Sequence, residues 1–418
     1  MIQAMRGRNK QIGYFFRGAL QFAQQRTINA IARFVTGIIF CAYERSAAGI
    51  GRAIADSPTV TALRDFLRSK LLTPKLAKIL DWKTCQNIRK ALRNPRNRLG
   101  SIVVAVDSTF KGTLSRLAHH LFFPGKGNRV GNHILVFAVL VFPDGTRLPL
   151  RPRQKKAGKH ALSQVDLAAE LVRSLAESLG GYSVVMVADA FFFSKKVLKA
   201  VRASRFHYVI ACKGNTVRAD GPRLDSLLGN IRLTGSCVTL PFSRGERQKR
   251  FSVALRRFDL RCGGTQAVVF SRPFNKRGAL VKFLVSDLLD ATAAEIVRLY
   301  ALRWQVELFF REAKMYLGLD QYRTSGESAP ENFAMLVTLA YQFLHWREGA
   351  SKGAMTTLAR IQQLTDEIAT DNIATIERGA ITRHGRKKIR ARFHLHHRGG
   401  ARKPRQAKKP LRRCRAAS

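Results

Sequence analysis

The sequence predicts an α/β fold, with a mixed sheet flanked by helices, a β-rich insertion and a helical N-terminal region. Three observations carry this. Two apolar, β-branched runs, 101–107 (SIVVAVD) and 183–189 (SVVMVAD), each end in an aspartate. Runs of that kind read as strands buried on both faces. Between them, NHILVFAVLVF (132–142) turns at Pro143-Asp144-Gly145 into TRLPLRPR, a hairpin signal. Residues 159–179 then follow with helical spacing, closed by Gly180-Gly181. Strand, hairpin, helix, strand is the order of a layered α/β domain.

The flanking regions follow in chain order. Residues 1–95 read as helical, with Ile28, Ile31, Phe34, Val35 and Ile38 at helical spacing and a breaker at Asp56–Pro58. Helix, short turn and helix amid arginines suits either a DNA-end-binding unit or a plain bundle. The core proper is expected over 96–212 and 284–348. It includes a helix from about Ser194 to Ala203, a strand at 207–212 (HYVIAC) and a covering apolar helix at 331–347. Short alternating stretches at 213–283 (SCVTLPF, RFSVALRRF, TQAVVF) mark the β-rich insertion. Residues 349–418 read as a basic, largely disordered tail, since no acid follows Glu377 and Lys and Arg come in runs.

Composition narrows the partner. The 418 residues carry a net charge of +47, and 46% of them are hydrophobic, with 26 Phe. A compact core with that much like charge repels itself, and a polyanion offsets the repulsion. Nucleic acid is the expected partner, with an anionic membrane surface as the weaker alternative. No apolar run is long enough to span a bilayer, so no membrane partner is expected, and the N-terminus has no apolar leader segment. Six scattered cysteines without a CxxC pair read as reduced thiols, with no zinc site expected.

The informative stretch is 295–319, EIVRLYALRWQVELFFREAKMYLGL. Read as one long helix at about 100° per residue, it places Leu302, Val306, Phe309, Ala313 and Leu317 on an apolar stripe. Tyr300, Arg303, Glu307 and Lys314 border that stripe within roughly 60°. Arg311 and Glu312 fall away from this row and read as surface residues. Asp107 and Asp189 end buried strands, and open α/β sheets place their sites at such ends. A carboxylate in a core-like context is costly unless paired or bound to metal. Each aspartate alone also suits a strand-end turn. Together with Glu307 they are the donor set that two hard divalent cations require, Mg²⁺ or Mn²⁺, about 4 Å apart at a phosphodiester.

These residues resemble a known family. Tyr300, Arg303, Glu307 and Lys314 match, in type and spacing, the Y-R-E-K signature of a large group of bacterial insertion-sequence transposases of the DDE class. VAVDST and VADAFFF are similar to that group's first and second aspartate motifs. The likeness spans roughly residues 25–345. It implies an RNase H-like catalytic core interrupted by a β-rich insertion. By it, Asp107, Asp189 and Glu307 are the catalytic metal ligands, and Tyr300, Arg303 and Lys314 contact DNA near the transposon end. It also implies a homodimer acting on double-stranded DNA, the transposon ends and the target DNA, in the bacterial cytoplasm, at the nucleoid.

Other residues have weaker signals. Trp304 and Trp346 suit core packing, with base stacking as the alternative. His119-His120 and His394–His397 read as solvated rather than metal-binding. Lys126-Gly127-Asn128-Arg129 lacks the strand–helix setting of a phosphate-binding loop. Cys212 ends a strand without a His or Asp partner and reads as core. Two other functions stay open on the sequence: an RNase H-like nuclease or resolvase that stops at hydrolysis, and a non-catalytic basic nucleic-acid-binding protein.

Overall fold

The computed structural model describes residues 10–41, 44–53, 59–113, 121–122, 131–158, 160–242, 245–274, 279–347 and 356–367. All of them lie in one compact unit, Met1–Glu367. His119-His120, His394–His397, the 126–129 loop and most of the predicted tail fall outside the described residues. Within the predicted tail stretch, 357–367 is helical.

The N-terminal helices are α1 (Lys10–Phe15), α2 (Gln25–Phe40), α3 (Ala47–Ala53), α4 (Val60–Arg68), α5 (Leu72–Ala91) and α6 (Pro95–Leu99). The predicted apolar stripe of α2 is buried at Ile28, Ile31, Phe34, Val35 and Ile38. Thr59 caps α4 by accepting from the Ala62 N–H, and Asn94 caps α6 in the same way.

The sheet is built from β1 (Ile102–Thr113), β2 (Gly131–Val141), β3 (Arg147–Pro149), β4 (Arg153–Lys155), β5 (Val184–Ala188), β6 (His207–Cys212), β7 (Thr234–Phe242), β8 (Gly245–Leu260), β9 (Gly264–Pro273) and β10 (Lys282–Ser286). Its order is β3-β2-β1-β5-β6-β10-β9-β8-β7, with β4 also paired to β2. Strand β2 runs antiparallel to β1, while β5 and β6 continue parallel to it. That is the RNase H-like arrangement the resemblance implies. The antiparallel meander β7–β8–β9 joins the same sheet through β10, which pairs with both β6 and β9.

Helices cover both faces. α7 (Gln164–Arg173), α8 (Ala176–Leu179) and α9 (Lys195–Ala203) follow the hairpin and β5. Their apolar residues share one core with Val104, Val106, Val136, Ala138, Met186 and Ala188. The predicted helix over 159–179 therefore starts later, at a Ser163–Asp166 capping box, and breaks at Ser174–Leu175. Alternation along β1 and β2 turns Asp107 and its cross-strand partner Phe137 to the opposite face. There Phe137 meets Phe309 and Phe310, with ring centroids 5.4 Å away in each case.

The predicted single helix over 295–319 is two helices, α10 (Ala293–Ala301) and α11 (Trp304–Leu317). Between them, the N–H groups of Leu302, Arg303, Gln305 and Val306 bond three residues back rather than four. This tightened step offsets α11 from α10. Gly318 then ends α11 at φ +67, a left-handed position. Last comes α12 (Ala329–Trp346), in which every residue from Ala329 to Leu344 but Glu331 is buried. A helix apolar all round needs cover all round. It lies against α2, α4, α5, α11, β3 and β4.

Candidate functional site at the strand ends

Strand pairing brings the two aspartates together. Val106 is opposite Ala188 in the parallel β1–β5 pair, and Asp107 and Asp189 are the next residues on each. Asp189 follows the last residue of β5, but Asp107 does not end its strand as expected: β1 runs on through it to Thr113, held by its pairing with β2, and by alternation the two aspartates share one face. Each is also held locally. The Ser108 N–H donates to Asp107 Oδ1 at 2.7 Å, and the Phe191 N–H donates to Asp189 Oδ1 at 3.0 Å.

Helix α11 supplies the third carboxylate. Phe309, Ala313 and Leu317 seat it on the sheet, and Glu307 lies in its first turn. There the positive end of the helix dipole favours a negative side chain. Arg303 stands at the tightened step just before α11. Its Nη1 donates to Asp107 Oδ2 at 2.9 Å, and its Nη2 donates to Glu307 Oε1. The guanidinium thus joins the β1 carboxylate to the helix carboxylate. The three side chains are 16%, 16% and 30% exposed for Arg303, Asp107 and Glu307, so the bridge is largely shielded from solvent.

Burial dominates the electrostatics here. It pushes the Asp107 carboxyl up to about 6, with the negative charges of Asp189 and Glu307 adding to the rise and Ser108 and Arg303 opposing it. Burial also raises the Tyr300 phenol, which lies close enough to Arg303 and Asp189 to feel both. One further cation belongs to this group. Lys282 on β10 has its Nζ 5.1 Å from the centroid of the Tyr300 ring. Its ammonium is lowered first by burial and then by Arg303, with Glu307 pulling the other way. The sequence reading misses it, because Lys282 reaches the site only through β10, whose pairing with β6 cannot be read from its own residues.

All six predicted residues lie on the α10/α11 side of the sheet, but they are not equally engaged. Asp107, Arg303 and Glu307 are directly linked. Asp189 is the strand-register neighbour of Asp107. Lys314 is two turns beyond Glu307 on α11 and partly exposed. Two readings are corrected. Trp304 is not core, since it is 46% exposed beside Arg303. Glu312 is not a surface residue: it accepts from Arg147 at 3.2 Å and from the Thr357 hydroxyl at 2.8 Å. Trp346 does pack, with Phe142, and donates to the Arg147 carbonyl. Cys212 is buried as expected, its thiol pushed up to about 12 by burial. The described cysteines are free thiols.

Asp107, Asp189 and Glu307 form an all-oxygen donor set, which suits a hard divalent cation. Among the described residues, no three His, Cys, Asp or Glu side chains are drawn close enough to hold a metal ion. The donors fit in type and in position on the sheet; Arg303 is interposed between two of them.

The family model of the transposase DDE domain matches residues 100–343, more than half of the chain, and so takes in β1, β5 and α11. A probable transposase for insertion sequence element IS5377 of Geobacillus stearothermophilus is 29% identical over 170 residues. The match covers 41% of this chain and 41% of that protein, so the chain spans about two fifths of its relative's length. Among solved structures, a cryo-EM structure of the piggyBac transposase synaptic complex with hairpin DNA aligns over 96% of this chain and 85% of its own. Its identity is 12% and its TM-score 0.44, a weak overall likeness. With the domain match running from the first aspartate strand through the glutamate helix, the chain belongs to the DDE transposase family.

Proposed function

We propose that the protein is a DNA transposase that binds the terminal inverted repeats of an insertion sequence, cleaves DNA there and joins the freed end to target DNA. The observation that carries this reading is that Asp107 on β1 and Asp189 just past β5 are neighbours on adjacent strands, with Glu307 of α11 tied to Asp107 through Arg303. These three carboxylates would hold two divalent ions, Mg²⁺ or Mn²⁺. Once bound, such ions would activate the attacking oxygen and stabilise the leaving oxygen at phosphorus.

The chain's own residues do the positioning. Arg303 has a planar fork of donors that matches a phosphate bidentately. Lys314 adds a point charge two turns along α11, and the Tyr300 phenol can donate to a phosphate oxygen. Trp304, exposed next to Arg303, presents a ring on which a base can stack. Both chemical steps are in-line displacements. Water first attacks the phosphorus and the 3′-oxygen leaves, taking up a proton. That 3′-hydroxyl then attacks a target phosphodiester and displaces the target's own 3′-oxygen, with no covalent enzyme intermediate. Two ends must meet in one complex, so the active form is a homodimer, working at the bacterial nucleoid.

The test is a labelled duplex carrying the element's ends, incubated with Mg²⁺ or Mn²⁺ and a supercoiled target. Cleavage followed by joined product supports the transposase. Metal-dependent cleavage without joining supports a nuclease or resolvase. Salt-sensitive binding without cleavage supports a non-catalytic DNA-binding protein.

A further inference from the structure

We infer that Arg303 is an internal counterion that holds the carboxylate site closed until a DNA phosphate draws it away. This rests on the reading of Asp107, Asp189 and Glu307 as cation ligands. Arg303 spends separate nitrogens on Asp107 Oδ2 and Glu307 Oε1, one oxygen from each of two proposed ligands. A cation placed on those oxygens would lie against the guanidinium, and the two like charges repel. The remaining oxygen of Asp107 already takes the Ser108 N–H. Each oxygen of Asp107 thus already accepts a charge-assisted or backbone hydrogen bond.

The backbone gives Arg303 somewhere to move from. It sits on the three-residue hydrogen-bond step between α10 and α11, the one place where the helical ladder of this segment is interrupted. Such steps mark hinges. A backbone phosphate offers the guanidinium the same two-oxygen geometry as the carboxylate pair, in a setting the protein has not already satisfied. Transfer of Arg303 to that phosphate frees Asp107 Oδ2 and Glu307 Oε1 together. Cation loading and DNA binding then promote each other, and by linkage the effect is reciprocal. A DNA-free protein would be a poor cation binder and so a poor nuclease. Lys314 is two turns away on α11, and an ammonium lacks the rigid planar fork with which Arg303 holds both carboxylates.

The test is Mn²⁺ binding, read by the loss of free Mn²⁺ signal in electron paramagnetic resonance, on full-length wild type, Arg303→Gln and Arg303→Lys without DNA. Arg303→Gln is expected to bind Mn²⁺ roughly 10-fold or more tightly than wild type, since charge-assisted hydrogen bonds to both ligands are gone. Arg303→Lys falls between them, which guards against a folding defect in the glutamine variant. Adding a duplex with the element's ends tightens Mn²⁺ binding to wild type and leaves Arg303→Gln nearly unchanged. Asp107→Asn in the Arg303→Gln background separates the two layers of the inference. If Mn²⁺ binding depends on Asp107 but Arg303→Gln binds no tighter than wild type, the counterion role is overturned and the carboxylate site stands. If binding is indifferent to Asp107, the carboxylates are not the cation site and both ideas fall. No duplex effect on wild type overturns the release step.

Discussion

Replacing Glu312 with Ala tests how α11 is held over the site. Glu312 is five residues beyond Glu307 and anchors the helix from its other side. Its carboxylate takes two contacts from Arg147 Nη2, at 3.2 and 3.3 Å, and hydroxyl bonds from Thr357 at 2.8 Å and Tyr341 at 3.5 Å. Arg147 and Glu312 are 12% and 13% exposed, so the pair is nearly dry. Arg147 Nη1 is already buried without a hydrogen-bond partner, so the guanidinium has no spare contact to fall back on. Removing the acid strands a buried cation, which costs about 3–5 kcal/mol; the residual exposure favours the lower end, about 3 kcal/mol. Urea unfolding at pH 7 measures it as a shift of the transition midpoint at unchanged slope. The double variant Arg147→Met/Glu312→Leu is expected to recover most of the loss, because it removes both charges. A Glu312→Ala cost below about 1 kcal/mol would refute the claim that this pair matters, because that is what an exposed pair yields.

Other outcomes follow from single contacts. Gly318→Ala places a Cβ 2.8 Å from the Arg45 Cβ at a backbone angle of φ +67, so it should cost about 1–3 kcal/mol in thermal unfolding. Asp166 caps α7 and pairs with Lys196 at 2.7 Å; the Lys196 and Ser163 contacts hold its carboxyl down at about 2. A depressed carboxyl contributes stability above its unfolded pKa and loses it as pH falls through the folded value. Asp166→Asn should therefore destabilise by about 1 kcal/mol at pH 7, with the gap to wild type closing as pH is taken from 3.8 down towards 2. Trp304→Ala, at a 46% exposed position, should leave the melting temperature within error of wild type while weakening binding to single-stranded DNA by about 1–3 kcal/mol. A drop in melting temperature instead would restore a packing role.

Much of this site could be read from the sequence because its positions are set by local pattern. Continuous β-branched runs announce the strands that carry Asp107 and deliver Asp189, though β1 continues past Asp107 to Thr113, and helical spacing announces the Tyr300–Lys314 row. The misses share one physical cause, which is that the decisive neighbours are far away in sequence. Nothing in LYALRWQVEL disfavours helix, so the break at Leu302–Arg303 is set by how α10 and α11 each pack on the sheet. A helical wheel sees one buried side of α11, and Glu312 looked exposed because Arg147 and Tyr341, from β3 and α12, cover a second. Trp304 was read as core by residue type alone, yet it occupies the first position of α11, where no element covers it. The same limit hid the bridge: spacing puts Arg303 and Glu307 one turn apart, but only the β1 register brings Asp107 to Arg303.

The most direct test of the central claim compares wild type with Glu307→Gln on end-labelled duplex in Mn²⁺, measuring binding, cleavage and joining on the same samples. Glutamine keeps the shape of the side chain and removes the charge that would hold a cation. The account predicts that both proteins bind the duplex, that wild type cleaves and joins, and that the variant does neither. A Glu307→Gln protein that cleaves and joins like wild type would make Glu307 merely a partner of Arg303 and contradict the assignment of the site.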